Sequence, residues 1–159
     1  MKAREAAQAD MDPVYMMGFD TWGEGQAEGV YLEQCRASPK YKTGRWYVLA
    51  DEHGALLSSL ITYQLGPGAG GIGSIATPAA LRNRGLATRL IKDVLALLTL
   101  EGAQAVFLFS DIAPEFYEKL GFRKLPARLQ RCPKSTCMVW GAPVAETINA
   151  PGFTLPEYF

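Results

Sequence analysis

The stretch that decides the fold runs Ile72-Gly73-Ser74-Ile75-Ala76-Thr77-Pro78-Ala79-Ala80-Leu81-Arg82-Asn83-Arg84-Gly85-Leu86-Ala87-Thr88 and continues through Arg89 to Leu100. Its first part, Ile72–Thr77, reads as a strand stopped by Pro78, which has no N–H to give a ladder. Two arginines follow in a loop, and a helix opens at Gly85. Over Gly85–Leu100 the residues Leu86, Leu90, Val94, Leu97 and Leu98 share one face, while Arg89, Lys92 and Asp93 lie elsewhere. Ala105–Ser110 is then an apolar run of the buried parallel-strand type. Ala113–Leu120 reads as a short helix closed at Gly121. Strand, helix, strand, helix is therefore the order at the centre of the chain.

Upstream the pattern changes. Lys2–Ala7 reads as a short strand. Asp10 and Asp12 are capping residues, with Pro13 in a first helical turn and Val14, Met16, Met17 and Phe19 as its apolar surface. Asp20-Thr21-Trp22-Gly23-Glu24-Gly25 interrupts that helix. A second helix covers Ala27–Arg36, and Ser38-Pro39 marks a loop. Arg45–Ala50 and Ala55–Leu65 form two strands around Asp51-Glu52-His53-Gly54, a hairpin turn with glycine last. Downstream, Phe122–Leu125 and Thr136–Trp140 are the last strands. The tail from Pro143 to Phe159 is rich in proline and aromatics and reads as extended, packed on its own core or on a neighbour. The order β-α-α-β-β-β-α-β-α-β-β specifies an α+β fold with a mixed sheet, rather than a doubly wound one.

Bulk properties narrow the function. A length of 159 residues suits one domain, taken as 1–159, and 48% hydrophobic residues supply a core. Lysine plus arginine equals aspartate plus glutamate at 16 each, so no global excess favours nucleic acid or an anionic membrane. The N-terminus lacks the apolar stretch of a signal peptide, and no segment is long enough to span a bilayer. Cys35, Cys132 and Cys137 have no zinc spacing, which predicts no metal site and a reducing, cytoplasmic setting.

Gly66-Pro67-Gly68-Ala69-Gly70-Gly71 matches G-x-G-x-x-G but joins two strands, where a dinucleotide fingerprint needs a strand-to-helix turn. The true strand-to-helix junction is the Arg82 segment. The first amides of a helix have no internal partners, and the helix dipole makes that end positive. Gly85 and Ala87 lack bulk, so a large anion can reach the backbone; Thr88 adds a hydroxyl, and Arg82 and Arg84 add charge. Together they form a pyrophosphate cradle. The competing reading is a solvated helix start.

Arg82-x-x-Gly85-x-Ala87 resembles the Q/R-x-x-G-x-G/A signature of the GNAT (GCN5-related) N-acetyltransferase superfamily. The run Ser110-Asp111-Ile112-Ala113-Pro114-Glu115-Phe116-Tyr117-Glu118-Lys119-Leu120-Gly121-Phe122 resembles that family's later motif, in the right order. The resemblance implies a mixed central sheet with antiparallel N-terminal strands, a splayed parallel strand pair and flanking helices. It implies acetyl-CoA as donor, with no metal. Arg82, Asn83, Arg84, Gly85, Leu86, Ala87 and Thr88 would hold its pyrophosphate. Ile75, Ala76 and Thr77 would meet the pantetheine arm beside a bulge at Gly73 and Ser74, and Ser110, where relatives often carry Asn, would also touch the cofactor. Asp20, Trp22 and Tyr31 fall where similar enzymes bind the acceptor.

Acetyl transfer from a thioester leaves a thiolate. A phenol with pKa about 10 is protonated at neutral pH and can donate to that sulfur. Tyr117 is the catalytic candidate on that ground, against a purely packed aromatic. The acceptor amine must lose a proton, yet Ile72–Thr77 contains no glutamate of the kind many relatives place there. Asp20, Glu24, Glu33 and Asp111 remain open as bases, while His53 reads as a solvated turn residue. The cysteines have no paired histidine, which disfavours an acyl-enzyme. The function expected is transfer of acetyl from acetyl-CoA directly to a primary amine of a small molecule, peptide or protein. The rivals are a non-catalytic acyl-CoA-binding regulatory module on the same fold and an interaction domain with a solvated basic loop. Monomer and homodimer are both open.

Overall fold

The computed structural model describes residues 1–141, 148, 151 and 157–159. Most of the expected extended tail, Phe153 included, lies outside the described residues. The elements are β1 (Lys2–Glu5), α1 (Met11–Met16), α2 (Phe19–Trp22), α3 (Glu28–Ala37), α4 (Pro39–Thr43), β2 (Arg45–Ala50), β3 (Leu56–Gly66), β4 (Ala69–Ala76), α5 (Leu86–Leu100), β5 (Ala105–Ser110), α6 (Glu115–Glu118), β6 (Arg123–Lys124) and β7 (Thr136–Trp140). Short 3₁₀ turns cover Gln8–Asp10, Ala79–Leu81 and Ala127–Leu129. The strands make a seven-stranded sheet in the order β1-β2-β3-β4-β5-β7-β6. β1, β2 and β3 pair antiparallel, β4 and β5 are parallel, and β7 pairs antiparallel with both β5 and β6. No helix of the described residues is long and apolar enough to cross a membrane.

Contacts divide the chain into two compact units, Met1–Tyr63 with Ser74–Val94, and Gln64–Gly73 with Leu95–Phe159. In the first, Val14 of α1 packs on Trp46, Val48 and Ile61, the alternate residues of β2 and β3. Asp10 ties β1 to the following turn: its carboxylate accepts from Arg4 and from the Ala7 N–H, each at 2.7 Å. Tyr15, Tyr41 and Trp46 stack above this core, with Tyr15 and Tyr41 parallel at 5.9 Å. In the second unit, Ala105, Phe107, Leu125, Cys137 and Val139 form the core, covered in part by Ile148 and Phe159. Phe159 meets Phe109 edge-on at 5.2 Å. The end of the aromatic tail thus covers its own unit's core.

Three departures from the sequence expectation have local causes. Residues 19–22 are helical rather than interrupted. The Trp22 N–H reaches the Gly18 carbonyl at 2.8 Å, and the indole lies over Gly18, where an added Cβ would sit 2.1 Å from a ring carbon. Residues 39–43 are helical rather than looped: Ser38 Oγ accepts from the Tyr41 N–H at 3.3 Å, and Pro39 takes the first turn. The serine-proline pair is a helix start, not a linker. Finally, β4 begins at Ala69 rather than Ile72, which shrinks the glycine loop to a turn around Pro67 and Gly68. Gly71 is buried there under the Phe159 ring, and a Cβ would stand 2.6 Å from it. Of the glycines that mimic a nucleotide fingerprint, Gly71 therefore serves close packing, while Gly66 and Gly68 take positive φ in the turn.

Candidate functional site

In the first unit the junction after β4 is shaped by backbone conformation. The parallel register with β5 runs from Ala69–Ala105 to Gly71–Phe107. Ser74 lies just beyond it at φ +45, a left-handed conformation that interrupts the extended backbone of β4 as a local kink. Its Oγ donates to the Tyr41 hydroxyl at 3.3 Å. Ser58 Oγ donates to the Ala76 carbonyl at 2.9 Å and lies 3.0 Å from Thr77 Oγ1, so the end of the strand is pinned from β3. Asn83 (φ +61) and Gly85 (φ +76) are both left-handed, separated by Arg84. Left-handed residues set into a turn aim successive N–H groups into one concavity, the geometry of an anion nest. Residues 82–85 are exposed, and a Cβ on Gly85 would meet nothing within 4 Å. The Gly85 carbonyl accepts the first α5 bond, from Arg89, at 3.0 Å. Leu86 is buried and anchors the turn, while Ala87 and Thr88 are half-buried.

Arg82 is not idle. Its Nε donates to the Thr77 carbonyl at 2.9 Å, and its two terminal nitrogens each meet a different Asp20 oxygen at 2.8 Å. That bidentate pair holds the Asp20 carboxyl below its ordinary pKa, chiefly through the hydrogen bond from Arg82. A carboxylate so held is a poor base. Tyr31 is buried, its ring 5.3 Å from Phe19, and burial followed by the Cys35 contact pushes its pKa up. The structure brings Asp20 to Arg82 and Trp22 to Gly18, and it places Tyr31 in the helix packing. Of the other candidate bases in this unit, Glu33 is paired with Arg36, and Glu24 sits in a turn at φ +51.

In the second unit Tyr117 is buried to 8% exposure, with Phe122 and Phe116 edge-on at 6.0 and 5.0 Å. Burial, and then the nearby Asp111 charge, push its pKa up to about 12. The phenol therefore keeps its proton at neutral pH. Ser110 is buried, and its hydroxyl donates to the Ile112 carbonyl at 2.7 Å, closing the strand end on itself. Ser135 donates to Asp111. Burial pushes the Cys137 thiol up to about 12 and raises that of Cys35, so neither is a ready nucleophile. Among the described residues no group of histidine, cysteine, aspartate and glutamate could hold a metal ion.

The family model that matches this chain is the acetyltransferase (GNAT) family, over residues 12–122. The chain belongs to the GNAT acetyltransferase family. Solved structures share the GNAT fold at low identity. A putative N-acetyltransferase from Lactobacillus plantarum superposes with a TM-score of 0.70 at 16% identity, covering 87% of this chain and 96% of that one. An aminoglycoside 6'-N-acetyltransferase complexed with coenzyme A gives 0.65 at 17%, covering 87% and 96%. GCN5 of Tetrahymena gives 0.64 at 12%, covering 88% and 95%. No curated protein matches the sequence. Within this GNAT chain, sequence reasoning missed Tyr41, Ser58 and Ser135. Tyr41 touches the β4 kink from 33 residues away and Ser58 pins Thr77 from 19. Only the two adjacent serines in the middle of an apolar strand hinted at such a role.

Proposed function

We propose that residues 1–159 form one acetyl-CoA-dependent N-acetyltransferase domain that moves acetyl directly to a primary amine. The observation that carries this is the exposed turn at residues 82–85, where Asn83 and Gly85 are left-handed just before α5, which we read as an anion nest. The residues fit a pyrophosphate: Gly85 leaves the backbone bare, the helix end is positive, and Arg82 and Arg84 flank it. Ile75, Ala76 and Thr77 follow the kink at Ser74 and are read as the segment beside the pantetheine arm. The three free cysteines accord with a reducing, cytoplasmic setting.

In the reaction, the neutral amine nitrogen attacks the thioester carbonyl, the C–S bond breaks and the sulfur leaves with the electron pair, while the new amide nitrogen releases its extra proton to water. Tyr117 donates a hydrogen bond to that sulfur. Full proton transfer from a phenol at about 12 to a thiolate of ordinary basicity, pKa about 8.5, is uphill. Its role is therefore stabilisation of the departing charge, with the final proton drawn from water. Its deep burial beside Phe122 is the one observation that favours the second reading, an acyl-CoA-binding module without catalysis.

Thiol release from acetyl-CoA, measured with a panel of amines, tests the proposal. Turnover should appear with some amine, and Tyr117→Phe should lower kcat by about 10²-fold or more. Arg82→Ala or Arg84→Ala should weaken CoA binding by about 1–3 kcal/mol. Tight CoA binding with no turnover would favour the second reading, and no CoA binding would overturn both.

A further inference from the structure

In the first unit, α1, α2, α3 and the 3₁₀ turn at residues 79–81 enclose an open groove of about 520 Å³. Met16, Met17, Phe19 and Pro78 give it apolar walls, and Asp20 and Glu28 are its charged lining residues. Among the described residues no lysine or arginine lines it. Glu28 is exposed and has no ion-pair partner among the described residues. The groove thus offers apolar surface, adaptable at its two methionines, and negative charge together. That combination complements an alkylammonium, whose methylenes need cover and whose cation needs carboxylates.

Asp20 belongs to two sites. Both of its oxygens are engaged by Arg82 at 2.8 Å, and it also lines the groove. A phosphate oxyanion on Arg82 competes for the same guanidinium edge. Whatever draws Arg82 away leaves Asp20 without its cation at the wall of the groove that Glu28 also lines.

We propose that this groove takes the acceptor as an amine with at least two basic nitrogens, and that Asp20 is shared between Arg82 and that acceptor. One ammonium is held by Glu28 and Asp20, while the second nitrogen, deprotonated, is the one acetylated. A monoamine cannot do both, because the nitrogen that binds as a cation has no lone pair to attack. Binding of the donor's phosphates and of the diamine then favour one another, and by linkage the enhancement is equal in both directions. This proposal rests on the reading of Arg82 as a pyrophosphate ligand.

The test is calorimetric titration of the full chain with CoA, 1,4-diaminobutane and butylamine, singly and in pairs. Diaminobutane should bind the CoA-loaded protein several-fold more tightly than the protein alone, and more tightly than butylamine does. Glu28→Gln should weaken diaminobutane roughly tenfold and leave CoA unchanged. Asp20→Asn should abolish the mutual enhancement and tighten CoA by roughly two- to fivefold, since an exposed competing pair is lost. If Asp20→Asn weakens CoA as well as the diamine, the bridge is only a structural brace and the proposal is wrong. Equal binding of diamine and monoamine would also overturn it. Failure of wild-type protein to bind CoA would instead remove the cofactor reading beneath it. CoA binding with none of the amine effects would sink this inference alone.

Discussion

Asn83 and Gly85 share one backbone conformation but differ in how easily they adopt it. An L-residue in the left-handed region costs about 1–2 kcal/mol, less for asparagine and nothing for glycine. Because a Cβ at Gly85 would meet nothing within 4 Å, Gly85→Ala should lose about 1 kcal/mol of stability from conformation alone. Asn83→Gly should cost nothing locally. Urea unfolding of the two variants checks the contrast; equal losses would mean that the turn's geometry is not what strains it. The helix opening at Gly85 was legible in sequence, because glycine before an amphipathic run has few other meanings. The engagement of Arg82 was not. Its partner, Asp20, lies 62 residues away, and no periodicity or cap connects two exposed side chains at that separation. Ser110 shows a related limit at short range: nothing in its neighbours announced that its hydroxyl donates to the Ile112 carbonyl.

At the scale of the element, α5 is the most legible part of the molecule. Of the expected face, Leu86, Leu90, Val94 and Leu98 are buried and Leu97 is half-buried at its margin, while Ile91 and Leu95 join the buried set. Burying each such side chain is worth about 1.5–3 kcal/mol, far more than helix propensity alone. Leu90 is fully buried, so Leu90→Ala should cost about 2–5 kcal/mol, read from the urea midpoint at unchanged slope. Strands β2, β5 and β7 also begin and end where the sequence put them, since apolar and β-branched runs bounded by breakers leave little choice. The misread elements are those in which local and tertiary demands diverge. β4 opens with Ala69, Gly70 and Gly71, residues of low strand propensity. They are extended because Ala69–Gly71 pair with β5 and Gly71 accommodates Phe159. Helix α4 differs for a simpler reason: a cap residue followed by proline suits a helix start as well as a loop, and only the chain beyond decides between them.

Across the whole molecule the titrating groups fall into two sets with unequal weight. Asp10, Asp12, Asp20 and Asp51 are held below their ordinary pKa, mostly by arginine or backbone donors, and all lie near the surface. Their stabilisation is present above about pH 3.8 and is lost as pH falls through their lowered values. Solvent screens these carboxylates, so the acid limb should be shallow. The second set lies deeper: Tyr31, Tyr117, Cys35 and Cys137 are buried and Tyr15, Tyr41 and Tyr63 half-buried, and all are raised, in each case chiefly by burial. Raised groups stabilise fully below their unfolded values, about 9 for the thiols and 10 for the phenols. That stability drains away as pH climbs through the folded values, about 12 for Tyr117 and Cys137. Equilibrium urea unfolding from pH 4 to pH 11 should therefore show a plateau and then a steep alkaline fall beginning near pH 9–10. A symmetric profile would contradict the burial of these phenols.

Trp22 adds an optical property to the molecule. The residue is 36% exposed, its ring lies close to Gly18, and it belongs to the same four-residue helix as Asp20. Indole emission responds to charge in its neighbourhood, and the charge two residues away is the one contested by Arg82. The chain carries, in effect, its own dye beside the carboxylate that matters. Titration of unlabelled protein with inorganic pyrophosphate, followed by emission and repeated with Trp22→Phe, would show that exchange of partners in real time.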